Sequence, residues 1–304
     1  VISDLGNLIL GNNSEETYGR LISLLTILFK RDIIPILIGG SQDLLYSVYR
    51  SYDSIQNTVN MVNVDSNFDL GDSSKPINNQ SYLGKIILEE PQNLFNYSNI
   101  GYQTFHNSQE EIDLMDNLYF EAYRLGDVCS KIRLVEPVMR DADIVSVDMK
   151  SIRASELSSR QKFSPNGFDG KEICAIARYA GISNKVSSFG IFEYNQNLDQ
   201  DDQTAKLISQ IIWYFLEGFQ SRVSEDIPSS KNLIFYNVTG ENDTNNMVFC
   251  KSKLSNRWWI VMKKDHRYNK LKVDQFFACS YSDYELAMNG DIPDTWLRII
   301  KLLS

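Results

Sequence analysis

Met61-Val62-Asn63-Val64-Asp65-Ser66-Asn67-Phe68-Asp69 decides the reading of this chain. A β-like apolar run ends abruptly in a turn that carries two carboxylates. Two other segments repeat the pattern. The run 33–38 leads into Gly39-Gly40-Ser41-Gln42, and 144–147 leads into Asp148-Met149-Lys150. Each set of polar residues then lies at the C-terminal end of a strand, where open α/β sheets build their sites. Continuous apolar runs are what a parallel strand covered on both faces requires, so 33–38 is predicted to be a buried parallel strand.

Helical patterns separate these runs. Asn13 and Glu16 have capping-box spacing, and Tyr18, Leu21, Ile22, Leu25 and Phe29 follow at helical period. Leu44, Leu45, Val48 and Tyr49 predict a second helix after Gly40. Residues 112–124 and 130–139 read as further helices, and 170–180 as a helix stopped by Gly181 as its C′ residue. Residues 186–192 read as a strand ending at Glu193. The stretch 204–219 is strongly amphipathic, with Ile208, Ile211, Ile212, Phe215 and Phe219 on one face. The stretch 70–98 reads as mostly loop with a short apolar piece at 86–88, and 100–105 as a strand.

Strands alternating with helices predict a three-layer α/β/α fold with a mainly parallel sheet. Past residue 225 the texture changes to short strands at 232–238, 247–251 and 258–262. The predicted organisation is an α/β domain over 1–224 and a β-rich C-terminal extension over 225–304 packed on it. The chain starts at Val1, and its first residues read as the interior of a fold, so the α/β domain is expected to be N-terminally truncated.

Composition bounds the function. The 304 residues carry a net charge of -9, 43% apolar residues and 12% aromatics. That supplies a sizeable core and no basic patch for nucleic acid. No apolar run is long enough to span a bilayer and no signal peptide is evident, so a cytoplasmic protein away from membranes is the expectation. Cys129, Cys174, Cys250 and Cys279 are widely spaced and form no CxxC pair, which points to reduced thiols. No Ser/His or Cys/His arrangement, phosphate loop or GxGxxG turn is present.

The order of the polar segments resembles the arginase, agmatinase and formimidoylglutamase (ureohydrolase) superfamily. Its signatures are GGDH, DAHxD, SxDxD, and a Glu before a helix carrying Thr-Ala. Here they stand as Gly39-Gly40-Ser41-Gln42, Asp65-Ser66-Asn67-Phe68-Asp69, Ser146-Val147-Asp148-Met149-Lys150, and Glu193 followed by Thr204-Ala205. The resemblance covers about residues 30–220. With Ser164-Pro165-Asn166-Gly167-Phe168, the text looks most like a formimidoylglutamase-like branch in Bacteroidetes-type bacteria.

The resemblance implies an arginase-like fold, two Mn²⁺-like ions and hydrolysis of a linear amidine by a metal-bridging hydroxide. The six metal-ligand positions fall on Gln42, Asp65, Asn67, Asp69, Asp148 and Lys150. Where the family has imidazoles, this chain has the amides Gln42 and Asn67, and where it has a carboxylate, Lys150. Ser41 also stands in place of an Asp. Only Asp65, Asp69 and Asp148 keep a metal-binding side chain. They leave room for a weakly held Mn²⁺ or other divalent cation, though no cofactor is the leading expectation.

In the family, four carboxylates balance two divalent ions. Here three carboxylates face one ammonium, so Lys150 is expected to take the electrostatic place of metal. Glu193 is expected either to bind an amidine or amine ligand or to pair with Lys150 or Arg153. The sequence therefore predicts a catalytically degenerate ureohydrolase-fold protein with a binding or structural role, for a small ligand, a protein partner or a second copy. The alternative is an active hydrolase of linear amidines. His106 and His266 are expected in a loop and a surface turn. In Arg257-Trp258-Trp259 the tryptophans are expected on opposite strand faces, one packed on the core and the other either in the core of the extension or marking an interface or partner groove.

Overall fold

The computed structural model describes residues 1–55, 58–72, 74–158, 163–225, 227, 231–239, 246–264 and 273–303. Six parallel strands form the main sheet, in the order β1 (Ile36–Ile38), β6 (Ser188–Phe192), β5 (Ile144–Asp148), β2 (Val59–Val64), β3 (Leu94–Tyr102) and β4 (Glu121–Arg124). Eight α-helices accompany it among the described residues before position 225. These are α1 (Ser14–Phe29), α2 (Leu44–Arg50), α3 (Tyr82–Leu88), α4 (Gln109–Asn117), α5 (Leu125–Ser130), α6 (Val135–Asp141), α7 (Gly170–Ile182) and α8 (Gln203–Gln220).

The pleat sorts the apolar residues into two cores. Val62, Val64, Val145, Val147, Phe189 and Ile191 pack with α6, α7 and α8. Val59, Met61, Ile144 and Phe192 pack with α1, α2 and α3. Successive strand residues point to opposite faces, so two buried faces need near-continuous apolar strands. This is the three-layer arrangement expected from the sequence.

Several elements differ from their sequence reading. The run 33–38 yields only β1, an edge strand that starts after Pro35 and leaves Ile38 56% exposed. Proline lacks the N–H a ladder needs, and an edge strand has a neighbour on one side alone. The stretch 70–98 is loop and turn over more than half its length, but it also holds regular elements. It holds α3, where the 86–88 piece is a helix end, and the first half of β3, which stops at Tyr102 rather than running to 105. Residues 112–124 split into the end of α4 and strand β4. The helix expected at 130–139 is broken into the end of α5, a 3₁₀ turn at Ile132–Leu134, and α6.

Gly181 is not a helix stop, because α7 continues through it to Ile182. A Cβ on Gly181 would lie 2.1 Å from the Phe215 carbonyl oxygen, and one on Gly218 2.4 Å from that of Arg178. The two glycines let α7 and α8 touch backbone to backbone, and Phe189 stacks on Phe215 at 4.5 Å beneath them.

The later part of the chain forms an antiparallel sheet in the order β10 (Gln275–Cys279), β9 (Trp258–Met262), β8 (Met247–Ser252), β7 (Leu233–Val238). It is joined by two helices that the sequence reading did not separate, α9 (Tyr281–Met288) and α10 (Asp294–Leu303). Both tryptophans are buried, on opposite faces of β9. Trp258 stacks on Tyr284, and Trp259 lies under the Arg140 guanidinium of α6. Arg140 also donates to the carbonyl oxygens of Trp258 (2.7 Å) and Cys279 (3.3 Å), tying α6 to the second sheet. The four cysteines are free thiols. His266 lies outside the described residues. Among the described residues, no helix is long and apolar enough to cross a membrane.

Candidate functional site

Three strand ends converge. β2 delivers Asp65 and the turn to Asp69, β5 delivers Asp148 and the turn to Lys150, and β6 delivers Glu193. Parallel pairing of β2 with β5 and of β5 with β6 brings these ends side by side. One oxygen from each of Asp65, Asp69 and Asp148 lies within 4.8 Å of the others, and all three residues are buried.

Backbone geometry aims two of the acids. Asp69 and Glu193 both hold positive φ, 53° and 62°. That region is unfavourable for residues other than glycine and is found where surrounding structure imposes it. The Glu193 N–H donates to the Gly40 carbonyl at 2.7 Å, and the Gly39 N–H donates to Ile191 at the same distance. A Cβ on Gly39 would lie 2.6 Å from the Phe192 ring, so that close approach needs glycine. The 164–168 segment supports the Lys150 turn from below. The Phe168 N–H donates to Ser151 O, and a Cβ on Gly167 would meet the Arg153 nitrogen at 2.6 Å.

Lys150 Nζ lies 3.2 Å from Glu193 Oε2 and 3.6 Å from Asp148 Oδ2. The other Glu193 oxygen accepts from the Gln42 N–H at 2.9 Å and the Asn79 amide at 3.1 Å. Both Glu193 oxygens are thus occupied within the protein, and Arg153 pairs instead with Glu156 and Asp169. Asp148 also accepts the Lys150 N–H at 2.6 Å.

Behind the acids runs a polar chain that the motif reading missed. The fully buried Gln42 donates to Asn63 Oδ1 at 3.0 Å. Asn63 donates to Asp65 Oδ2 at 3.2 Å and to the Tyr82 hydroxyl at 2.9 Å, and the Ser146 hydroxyl donates to Asn63. The signal was present in the sequence: Asn63 stands among Met61, Val62 and Val64 in the run that leads to Asp65, and a buried amide has to find partners.

Asn67 does not join the acids through its side chain. Its amide donates to the His106 carbonyl at 3.3 Å and accepts from the Ser66 hydroxyl. His106 lies in the turn after β3, its ring edge-to-face with exposed Phe105.

Burial dominates the electrostatics. It raises the Asp65 carboxyl well above its usual range, with the neighbouring Asp69 charge adding to the shift. It pushes Asp69 up to about 8, reinforced by Asp148 and opposed by Lys150. Asp148 is likewise raised by burial and by Asp65. For Lys150 burial favours the neutral amine, but Asp148, Glu193, Asp69 and Asp65 outweigh it, and its pKa is raised. The cluster is thus a partly protonated acid group facing an ammonium.

A binuclear metal centre does not fit this donor set. Gln42 donates through its amide instead of offering an imidazole, the Asn67 amide bonds elsewhere, and the Lys150 ammonium bonds two of the acids. A single hard cation fits the remaining chemistry. Three oxygens within 4.8 Å of one another can all touch one ion bound at roughly 2.0–2.6 Å, and Asp69 Oδ2 is buried without a hydrogen-bond partner.

No family model matches the sequence. The chain is 25% identical over 214 residues to the formimidoylglutamase of Staphylococcus haemolyticus strain JCSC1435, covering 67% of this chain and 68% of that protein. The fold is similar to the crystal structure of formimidoylglutamase from Bacillus subtilis subsp. subtilis str. 168, with TM-score 0.65, 18% identity and 73% of each chain covered. It is also similar to Trypanosoma cruzi formiminoglutamase with Mn²⁺, with TM-score 0.64, 18% identity, and 71% of this chain and 75% of that one covered.

Proposed function

We propose, from this chain's membership of the arginase, agmatinase and formimidoylglutamase superfamily, that it is a member that has exchanged the hydrolytic metal centre for an internal cation and retains the pocket as a binding or structural site. The observation carrying this reading is the position of the Lys150 ammonium, 3.6 Å from Asp148 and 3.2 Å from Glu193. A protonated lysine cannot ligate a metal, and it repels a divalent ion. Its charge also offsets the carboxylates that a metal would otherwise compensate.

A metal lowers the pKa of its bound water enough to make hydroxide at neutral pH. Lys150 and three acids of raised pKa have no equivalent way to generate that nucleophile. The cluster keeps acceptor groups, which suit a small amine or amidine. Glu193 serves such a ligand only after parting from Lys150. A protein partner or a second copy of the chain is the other class of occupant.

A second reading is a metal-dependent hydrolase of linear amidines. The specific observations favouring it are the name of the matched relative, formimidoylglutamase, and the close approach of three carboxylate oxygens. Diffraction from crystals soaked in Mn²⁺, recorded at the Mn edge, separates the two, together with assays for formamide, urea or ammonia released from linear amidines. The proposal expects no strong paired peak and no turnover. Two Mn sites among Asp65, Asp69 and Asp148 with product release would replace it by the second reading.

A further inference from the structure

At the opposite end of the strands from Asp65 and Asp148, a cavity of about 650 Å³ opens between the parallel sheet and the C-terminal elements. Its floor comes from the first residues of β2, β3 and β4, including Asn60, Asn96 and Glu121. One wall is α5 and α6, and the other is β10, α9 and α10.

Its buried Glu121 and half-buried Arg298 cancel in charge. Glu121, 8% exposed, accepts from Arg298 of α10 and from the Tyr123 hydroxyl. The Asn96 amide donates to Glu121 Oε1 at 3.1 Å, and the Asn60 amide donates to the Asp141 carbonyl at 2.8 Å. Their nitrogen ends being fixed, both amide oxygens are left buried without a donor. The floor is therefore charge-neutral, with Glu121 and Arg298 matched to each other.

The mouth is acidic on both walls. Asp127 and Asp141 come from the helical wall and Asp294 from the start of α10, and Asp127 and Asp294 are exposed. Lys131 is the remaining cation of the lining. Asp141 is exposed as well. Between the acids lie apolar surfaces, among them Phe277, Leu286 and Phe95, the last 57% exposed.

We propose that this seam cavity binds a small organic cation, an alkyl diamine whose ammonium groups meet the carboxylates of the two walls while its chain lies on Phe95 and Phe277. Ammonium groups bring donors and no acceptors, which complements the exposed carboxylates of the two walls. An apolar chain adds burial that a bare metal ion cannot gain.

The test is calorimetric titration of the full chain with 1,5-diaminopentane at constant ionic strength, with pentan-1-ol and MgCl₂ as comparisons. Saturable binding of the diamine is expected, at least tenfold tighter than either comparison. It should weaken at least tenfold in Asp127→Asn/Asp294→Asn and also in Phe95→Ser, all exposed positions whose variants should fold. It should persist in Asp69→Asn. No saturable heat, equal affinity in the double variant, MgCl₂ matching the diamine, or loss of binding in Asp69→Asn would each overturn the proposal, the last by moving the amine to the other end of the sheet.

Discussion

Lys150 and Glu193 stand at the ends of two adjacent parallel strands and meet at 3.2 Å, closing the acid cluster with the protein's own charge. The pair is largely enclosed, with the lysine side chain 28% and the glutamate side chain 15% exposed. Removing one member leaves carboxylates without their counter-ion, a larger loss than the net contribution of the pair.

Lys150→Met is therefore expected to destabilise the fold by about 3 kcal/mol at neutral pH, read as a lower urea midpoint with an unchanged slope. The double variant Lys150→Met/Asp148→Asn should recover part of that loss, because it also removes one of the stranded charges. If the single variant were as stable as the parent, the ammonium would have no electrostatic role in the cluster.

Stability should also fall as pH rises. Asp69 is pushed up to about 8 in the folded chain, and Asp65 and Asp148 are raised as well. A group whose folded pKa lies above its unfolded value binds more protons when folded. Its contribution is complete below the unfolded pKa near 4 and is lost as pH climbs toward the folded one. Urea unfolding across pH 5–8.5 should show a declining free energy, by up to about 1.4 kcal/mol per pH unit for each such group. Asp69→Asn should flatten the part of the slope near pH 8.

The α7–α8 contact supplies a test of packing. Gly181→Ala places a Cβ 2.1 Å from the Phe215 carbonyl oxygen, a backbone atom that cannot rotate away. A loss of about 2 kcal/mol or more is expected, with Tm lower by several degrees. Gly19→Ala, on the exposed face of α1 with nothing near the new methyl, should instead leave Tm unchanged or raise it slightly. Equal effects from both would mean that helix propensity, not the close approach, sets the cost.

Residues 61–69, 144–150 and 186–193 were legible because apolar runs closed by polar turns have one good solution, a buried parallel strand with its site at the C-terminal end. Period and composition were enough, and they placed Asp65, Asp69, Asp148 and Lys150 at strand ends. Boundaries failed where local pattern was ambiguous. Residues 121–124 follow a helical stretch and lack the apolar density of a buried strand, yet they pair with β3 at the far edge of the sheet. Gly181 carries a C-cap signal in sequence, but its missing side chain is used by the helix packed across it.

The sequence by itself determined the layered α/β fold and the residues that can carry charge at the strand ends, since both follow from residue chemistry at fixed spacing. Only the tertiary structure decided which charges meet. Lys150 is 43 positions from Glu193 and two from Asp148, yet it contacts both, because strand order sets β5 beside β6. The Gln42–Asn63–Asp65 chain and the seam cavity arise the same way, from segments remote in sequence whose partners are fixed by how the sheet is ordered and how the last helices dock.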